Sequence, residues 1–230
     1  MAHYLLVSFE TCPWVQRAAI LLREKDVLFE FRHIPRDNRP DWFLAISPHK
    51  KVPVLRIDDR ISLFESGAIC EYLDETIAPR LHPTDPVARA VNRAWTDYLP
   101  SFTAAVTGCA YTESAEAYDK AIAQIPTAFE RLEGALAKQG AGPFFNGAAY
   151  SLVDAGYAPF LQRYVFLDRI RPIGQLEKFP RLKAWTEALL ARASTHSFPP
   201  TEFEAMYRDG IKRRNVWLSQ FVDAARAAAE

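Results

Sequence analysis

The 230-residue chain is short of several things, and each shortage closes off a class of function. It has no excess of charge of either sign: Lys plus Arg and Asp plus Glu both number 28, so the formal net charge is zero. A nucleic-acid binder ordinarily carries a clear basic excess. No run approaches the ~18 apolar residues a membrane span needs. The longest uncharged stretch, residues 98–112, is interrupted by Pro100, Gly108 and several threonines. Three cysteines, an odd number set far apart, do not make a disulfide framework. The nine glycines are scattered, so there is no glycine-rich phosphate loop. The histidines (His3, His33, His49, His82 and His196) lack metal-ligand spacing, and no cysteine pairs with them as a zinc site would require. Internal repeats are absent, and the one biased segment is a short alanine-rich tail at 224–229. No positive n-region or cleavage signal precedes the first apolar run, so no export signal is expected. At 49% hydrophobic and 24% charged residues the chain can bury a core. The expectation is a globular cytoplasmic protein with no metal, no nucleic-acid partner and no membrane span.

What is present divides in two. Residues 3–9 form an apolar run of strand length, followed by Glu10-Thr11-Cys12-Pro13. From Pro13 the spacing turns helical, with Trp14, Val15, Ala18, Leu21 and Leu22 recurring on one face. Proline belongs in the first turn of a helix, so Cys12 is placed at the helix N-terminal edge. Residues 27–34 alternate as a second strand, with Phe29, Phe31 and His33 on one face. A loop at 35–40 leads to a helical turn at 41–44, a strand at 52–57, a turn at Asp58-Asp59 and a strand at 61–64. A helix from Ser66 to about Asp74 follows, with Ala68, Ile69, Tyr72 and Leu73 expected inward. The order β-α-β-α-β-β-α describes an α+β domain over residues 1–80. The prolines of 81–86 cannot continue a helix and mark a linker. Beyond it, 87–98, 117–138, 151–167 and 180–192 carry helical periodicity and no strand is expected, so 87–230 reads as an all-α domain.

Cys12 is the sharpest chemical feature. Backbone N–H groups and the positive end of the helix dipole favour thiolate over thiol at such a position. The same cysteine reads equally as a small buried hydrophobe. Val15 stands where a C-x-x-C pair would have its second cysteine, so Cys12 would attack alone and be resolved by an external thiol. Val52-Pro53 suits either an ordinary edge-strand proline or a cis peptide beside an extended peptide ligand. Glu65-Ser66 reads as a helix cap, with Ser66 at the N-cap. The same pair can hold the amine and carboxylate of an amino acid. Arg39 and Lys51 are the nearest loop cations. Tyr4 and Ser8 are rival activating hydroxyls on the first strand. Cys70 and Cys109 are read as buried, inert thiols.

Four motifs, in this order, resemble a known family: Thr11-Cys12-Pro13-Trp14-Val15-Gln16-Arg17, Asn38-Arg39-Pro40-Asp41-Trp42-Phe43, Lys51-Val52-Pro53-Val54-Leu55, and Phe64-Glu65-Ser66 through Glu75. Together they are similar to the cytosolic glutathione transferases of the cysteine type, closest to the omega class. Ser151-Leu152-Val153-Asp154, an S-x-x-D capping box, is similar to the family's helix cap in its second domain.

The resemblance implies a thioredoxin-like N-terminal domain, an all-α C-terminal domain, glutathione as co-substrate and a homodimer. Position by position, it implies Cys12 as the catalytic thiol and Trp14 as the aromatic beside it. Val52, before cis-Pro53, becomes the backbone clamp on the cysteinyl unit. Glu65 and Ser66 hold the γ-glutamyl end, and Arg39 and Lys51 the glycine end. A small hydrophobic or disulfide co-substrate would meet Tyr98, Phe102 and Tyr111, with Tyr164 or Trp217 as further candidates. The implied reactions are thiol transfer and dehydroascorbate reduction, with conjugation a side activity. A non-enzymatic adaptor on the same fold, or a conjugating transferase using Ser8 or Tyr4, are the alternatives.

Overall fold

A computed structural model describes residues 2–223, and the alanine-rich tail lies outside the described residues. The chain divides into two compact units. One comprises the chain up to Thr96 with Ser151–Pro159 and Ala193–Ser197. The other comprises Asp97–Tyr150, Phe160–Arg192 and the chain from Phe198 on.

The first unit is built on strand β1 (Tyr4–Ser8), buried along its whole length. A strand covered on both faces reads as a continuous apolar run, which explains the absence of alternation. β2 (Glu30–His33) pairs parallel to β1, β3 (Val54–Ile57) antiparallel to it, and β4 (Ile61–Phe64) antiparallel to β3, giving the order β2-β1-β3-β4. Side chains alternate between faces. Tyr4 and Leu6 join Val15, Ala18, Ala19 and Leu22 of helix α1 (Pro13–Glu24) and Ile69 and Leu73 of α3 (Ser66–Thr76). Leu5 and Val7 instead meet Val54 and Phe43 of α2 (Asp41–Ile46). This is the expected thioredoxin-like arrangement. On α3 the buried positions are Ser66, Ile69, Cys70, Leu73 and Asp74, so Ala68, expected inward, faces solvent.

The proline-rich stretch after α3 is tied down. Lys25 Nζ donates to the carbonyls of Ile77 and Pro79, both at 2.6 Å, and pairs with Asp74 at 3.0 Å. Asp74 also accepts the N–H groups of Leu81 and His82. The peptide bonds before Pro53 and Pro79 are cis.

Helix α4 (Pro86–Thr107) runs past Pro100, well beyond the expected end near residue 98. A proline inside a helix costs roughly 3 kcal/mol. The buried stripe of Leu99, Phe102 and Val106 outweighs it, at about 1.5–3 kcal/mol per side chain. The single helix expected over 117–138 is two: α5 (Ala115–Ile122) and α6 (Ile125–Leu136). Pro126 has no N–H to continue α5 and sits in the first turn of α6. α7 (Leu152–Ile170) starts at the anticipated cap, where Asp154 Oδ2 accepts both the N–H and the Oγ–H of Ser151 at 2.8 and 2.7 Å. α8 (Pro180–Ala191) lies where it was expected. α9 (Pro200–Arg214) was not expected, and buries a narrow stripe of Phe203, Tyr207 and Ile211. Among its described residues the second unit has no strand, only isolated bridges at Phe144–Gly147 and Asn146–Ala149. Its core collects Cys109, Tyr118, Phe166, Phe203, Tyr207 and Leu218.

Candidate active site

The sheet register gathers the sequence candidates at one end. Val7 is opposite Val54, and Val54 opposite Phe64, in a row across β1, β3 and β4. The chain leaves that row toward Cys12 from β1, enters it from the cis Val52–Pro53 bond on β3, and leaves it into Glu65 and Ser66 from β4. β2 ends at His33, beside Ser8, and runs into the loop bearing Arg39.

Cys12 is the N-cap of α1, with extended backbone (φ −70°, ψ 118°), and its N–H donates to the Phe9 carbonyl at 3.2 Å. Pro13 follows as the first helical residue, leaving the N–H groups of the next residues to face outward at the helix start. Cys12 as a whole is 2% exposed. Trp14 is half-buried, with the Arg17 guanidinium 5.9 Å from its ring centroid.

Just after α2, buried Ser47 clasps the approach to Val52: its Oγ accepts the Lys51 N–H at 3.0 Å and donates to the Lys51 carbonyl at 2.8 Å. Lys51 is exposed and Arg39 half-buried.

The cap expected at Ser66 is displaced by one residue. Glu65 is the N-cap, at φ 64° and ψ 115°, and its side chain does not bond the helix. A non-glycine residue held in this region is strained, and such strain gathers at ligand sites. The Glu65 carboxylate meets His49 Nδ1 at 2.9 Å. Ser66 is buried as the first residue of α3, and its Oγ accepts a hydrogen bond from Arg17 Nη1 at 3.2 Å. Arg17 and His49 are therefore partners of the candidate pair that sequence reasoning missed. Arg17 stands inside the first motif, and His49 three residues ahead of Val52.

The rival hydroxyls fare less well. Tyr4 lies at the opposite end of β1, about 13 Å from Ser8 at ~3.3 Å per residue. Burial, then Tyr72, pushes its phenol pKa up. Ser8 is at the right end but wholly buried. Cys70 and Cys109 are buried thiols. Burial pushes Cys70 to about 11, with Arg17 opposing, and Cys109 to about 12.

The co-substrate candidates are not alike. Tyr98 is half-buried, with Arg131 Nη1 donating to its hydroxyl at 3.2 Å. Tyr111 is 51% exposed, with Arg214 over its ring. Phe102 is fully buried and stacks on Phe129. Tyr164 is likewise buried, against Phe129. Among the described residues no cluster of three or more His, Cys, Asp or Glu side chains is placed to hold a metal, and no helix is long and apolar enough to cross a membrane.

A four-stranded thioredoxin-like sheet whose third strand is entered through a cis-proline, followed by a helical region, is the architecture of the glutathione-transferase class. Family models agree: residues 6–80 match the glutathione S-transferase N-terminal domain, and residues 115–188 the C-terminal domain. The chain is 33% identical to glutathione S-transferase L1 of Arabidopsis thaliana over 191 residues, covering 80% of this chain and 76% of that one. It is 29% identical to glutathione S-transferase omega-1 of Rattus norvegicus over 179 residues, covering 77% and 73%. Among solved structures, rice GST1 in complex with glutathione superposes with a TM-score of 0.79 at 26% identity, covering 92% of this chain and 97% of that one. The chain belongs to the glutathione S-transferase family.

Proposed function

We propose that the protein is an omega-like, glutathione-dependent thiol transferase working through Cys12. The observation that carries this reading is the meeting, at one sheet end, of a cysteine at a helix N-terminus, the cis Val52–Pro53 bond and a strained Glu65 next to Ser66. Glutathione has two carboxylates and one amine. The site offers two loop cations, a helix N-terminus and a carboxylate. In this reading Arg39 and Lys51 hold the glycine carboxylate, the Val52 backbone pairs with the cysteinyl unit beside Trp14, Glu65 takes the amine, and Ser66 takes the γ-glutamyl carboxylate.

The Cys12 thiolate attacks the glutathionyl sulfur of a mixed disulfide. A Cys12–glutathione disulfide forms, and the other sulfur leaves as a thiolate that takes up a proton. A second glutathione thiolate then attacks the glutathionyl sulfur. It releases glutathione disulfide and restores Cys12, in ping-pong order. Dehydroascorbate is a further substrate under this proposal, taking two electrons and two protons as two glutathiones become the disulfide. The protein works in the cytoplasm as a homodimer. Val87 and Val91, exposed one turn apart on α4, give the first unit an apolar strip for a second copy.

Trapping tests the reading. Incubated with glutathione disulfide alone, the protein should carry one glutathione, on the peptide containing Cys12. Cys70 and Cys109 should remain unmodified. An adduct elsewhere, or none, would contradict the proposal.

A further inference from the structure

Helix α1 and its C-cap residue each bury a cation, and the two are compensated very differently. Lys25 has the Asp74 carboxylate and two carbonyl oxygens around its ammonium. Arg17 is 5% exposed, yet among the described residues no carboxylate pairs with it, and its Nε is buried with no hydrogen-bond partner. Its contacts are the Trp14 ring and Ser66 Oγ at 3.2 Å. Its charge also reaches Cys70, one turn along α3 from Ser66, so the guanidinium lies against the inner face of the first turn of α3. A buried charge without a counter-charge is unfavourable unless something completes it.

Hydrogen-bond direction says what would complete it. A guanidinium has only donors, so Ser66 Oγ must accept from Arg17. The Ser66 hydroxyl proton is then turned away from Arg17. It is left to be donated elsewhere, next to the open N–H groups at the start of α3. A donor polarised by a cation behind it, beside a helix N-terminus, suits an anionic acceptor and not a neutral one.

We propose that Arg17 is a positioning residue: acting through Ser66, it makes the site select a carboxylate, and reject a carboxamide, at the γ-glutamyl α-carbon of the bound thiol peptide. This inference rests on the reading that the site binds glutathione.

The test is calorimetric titration with glutathione and with the analogue whose γ-glutamyl α-carboxylate is an amide. Both are titrated into native protein, Arg17→Lys, Arg17→Gln, Ser66→Ala and the Arg17→Gln/Ser66→Ala double variant. Native protein should prefer glutathione by about tenfold, the ratio expected of one charge-assisted contact. Arg17→Gln should lose most of that preference while binding the amide as before, and Arg17→Lys should restore part of it. In the Ser66→Ala background the Arg17 change should add little. Equal native affinity for the two ligands would overturn the inference, as would Arg17→Gln weakening both by the same factor, which is what a purely structural role does. Should Arg17→Gln fail to fold, the native and Arg17→Lys ratios decide. If native protein binds no glutathione at all, the functional reading fails first and the inference falls with it, an outcome distinct from the others.

Discussion

The two units bury polar groups in opposite ways. In the first, charges are fixed by directional bonds: Lys25 to Asp74 and Arg17 to Ser66 in the interior, and half-buried Glu71 to both buried His82 and the more exposed Arg93. In the second, three phenols and a thiol share an aromatic core, and Thr107, Gln162, Thr186 and a single cation, Arg163, are buried beside them. Tyr118, Tyr164 and Tyr207 all have their pKa values pushed up by burial. Its cations lie over rings, as Arg171 does over Tyr118, Trp217 and Phe221. A framework of fixed charges can hold a charged peptide at defined points. An aromatic interior shapes volume and leaves charge recognition to others. The first unit therefore depends on individual bonds far more than the second does.

Breaking the Lys25–Asp74 pair should show this most clearly. Asp74→Ala strands a fully buried ammonium and the Leu81 and His82 N–H groups. It should cost ~3–5 kcal/mol, read from urea or guanidinium unfolding. Lys25→Met combined with Asp74→Leu should recover part of the loss, because replacing both charges removes the uncompensated one while the backbone groups they bonded stay unpaired.

Glu71 should give a smaller, pH-dependent effect. Burial works against its ionisation, but hydrogen bonds from His82 and Arg93 win and hold its carboxyl at about 2, against an ordinary 4.5. A depressed folded value means the stabilisation is complete above pH 4.5 and is lost as pH falls from there toward 2. Glu71→Gln should therefore be less stable than native protein at pH 7, by about 1–2 kcal/mol. The two unfolding midpoints should converge by pH 2.

In the second unit the counterpart is near zero. The Tyr118 hydroxyl is buried without a hydrogen-bond partner. Tyr118→Phe removes an unsatisfied group and should be neutral, or stabilising by up to about 1 kcal/mol. A large loss there would erase the contrast between the units.

This contrast also accounts for what the sequence could disclose. Cys12 stood out as a candidate by a local signature, a cysteine before a helix-starting proline, whereas Pro53, Glu65 and Ser66 became candidates through the order of the four motifs rather than singly. Arg17 was not legible, since an arginine on an amphipathic helix reads as a solvated charge until α3 is packed against it. The one-residue shift of the α3 cap depended on the φ of Glu65, which no pattern reveals. In the second unit the burial of Phe102 was not legible, because an uncharged run has the same composition in a core as along a pocket. The helix through Pro100 and the narrow stripe of α9 were likewise decided by packing, which local propensity does not contain.

The central claim is that Cys12 performs glutathione-dependent thiol transfer. Glutathione-dependent reduction of hydroxyethyl disulfide by native protein and by Cys12→Ala tests it most directly. The account predicts turnover by the native protein and none by the variant, with conjugation of 1-chloro-2,4-dinitrobenzene weak in the native protein. A variant that keeps the reductase activity would contradict it, as would a native protein that conjugates the aryl halide strongly while barely reducing the disulfide.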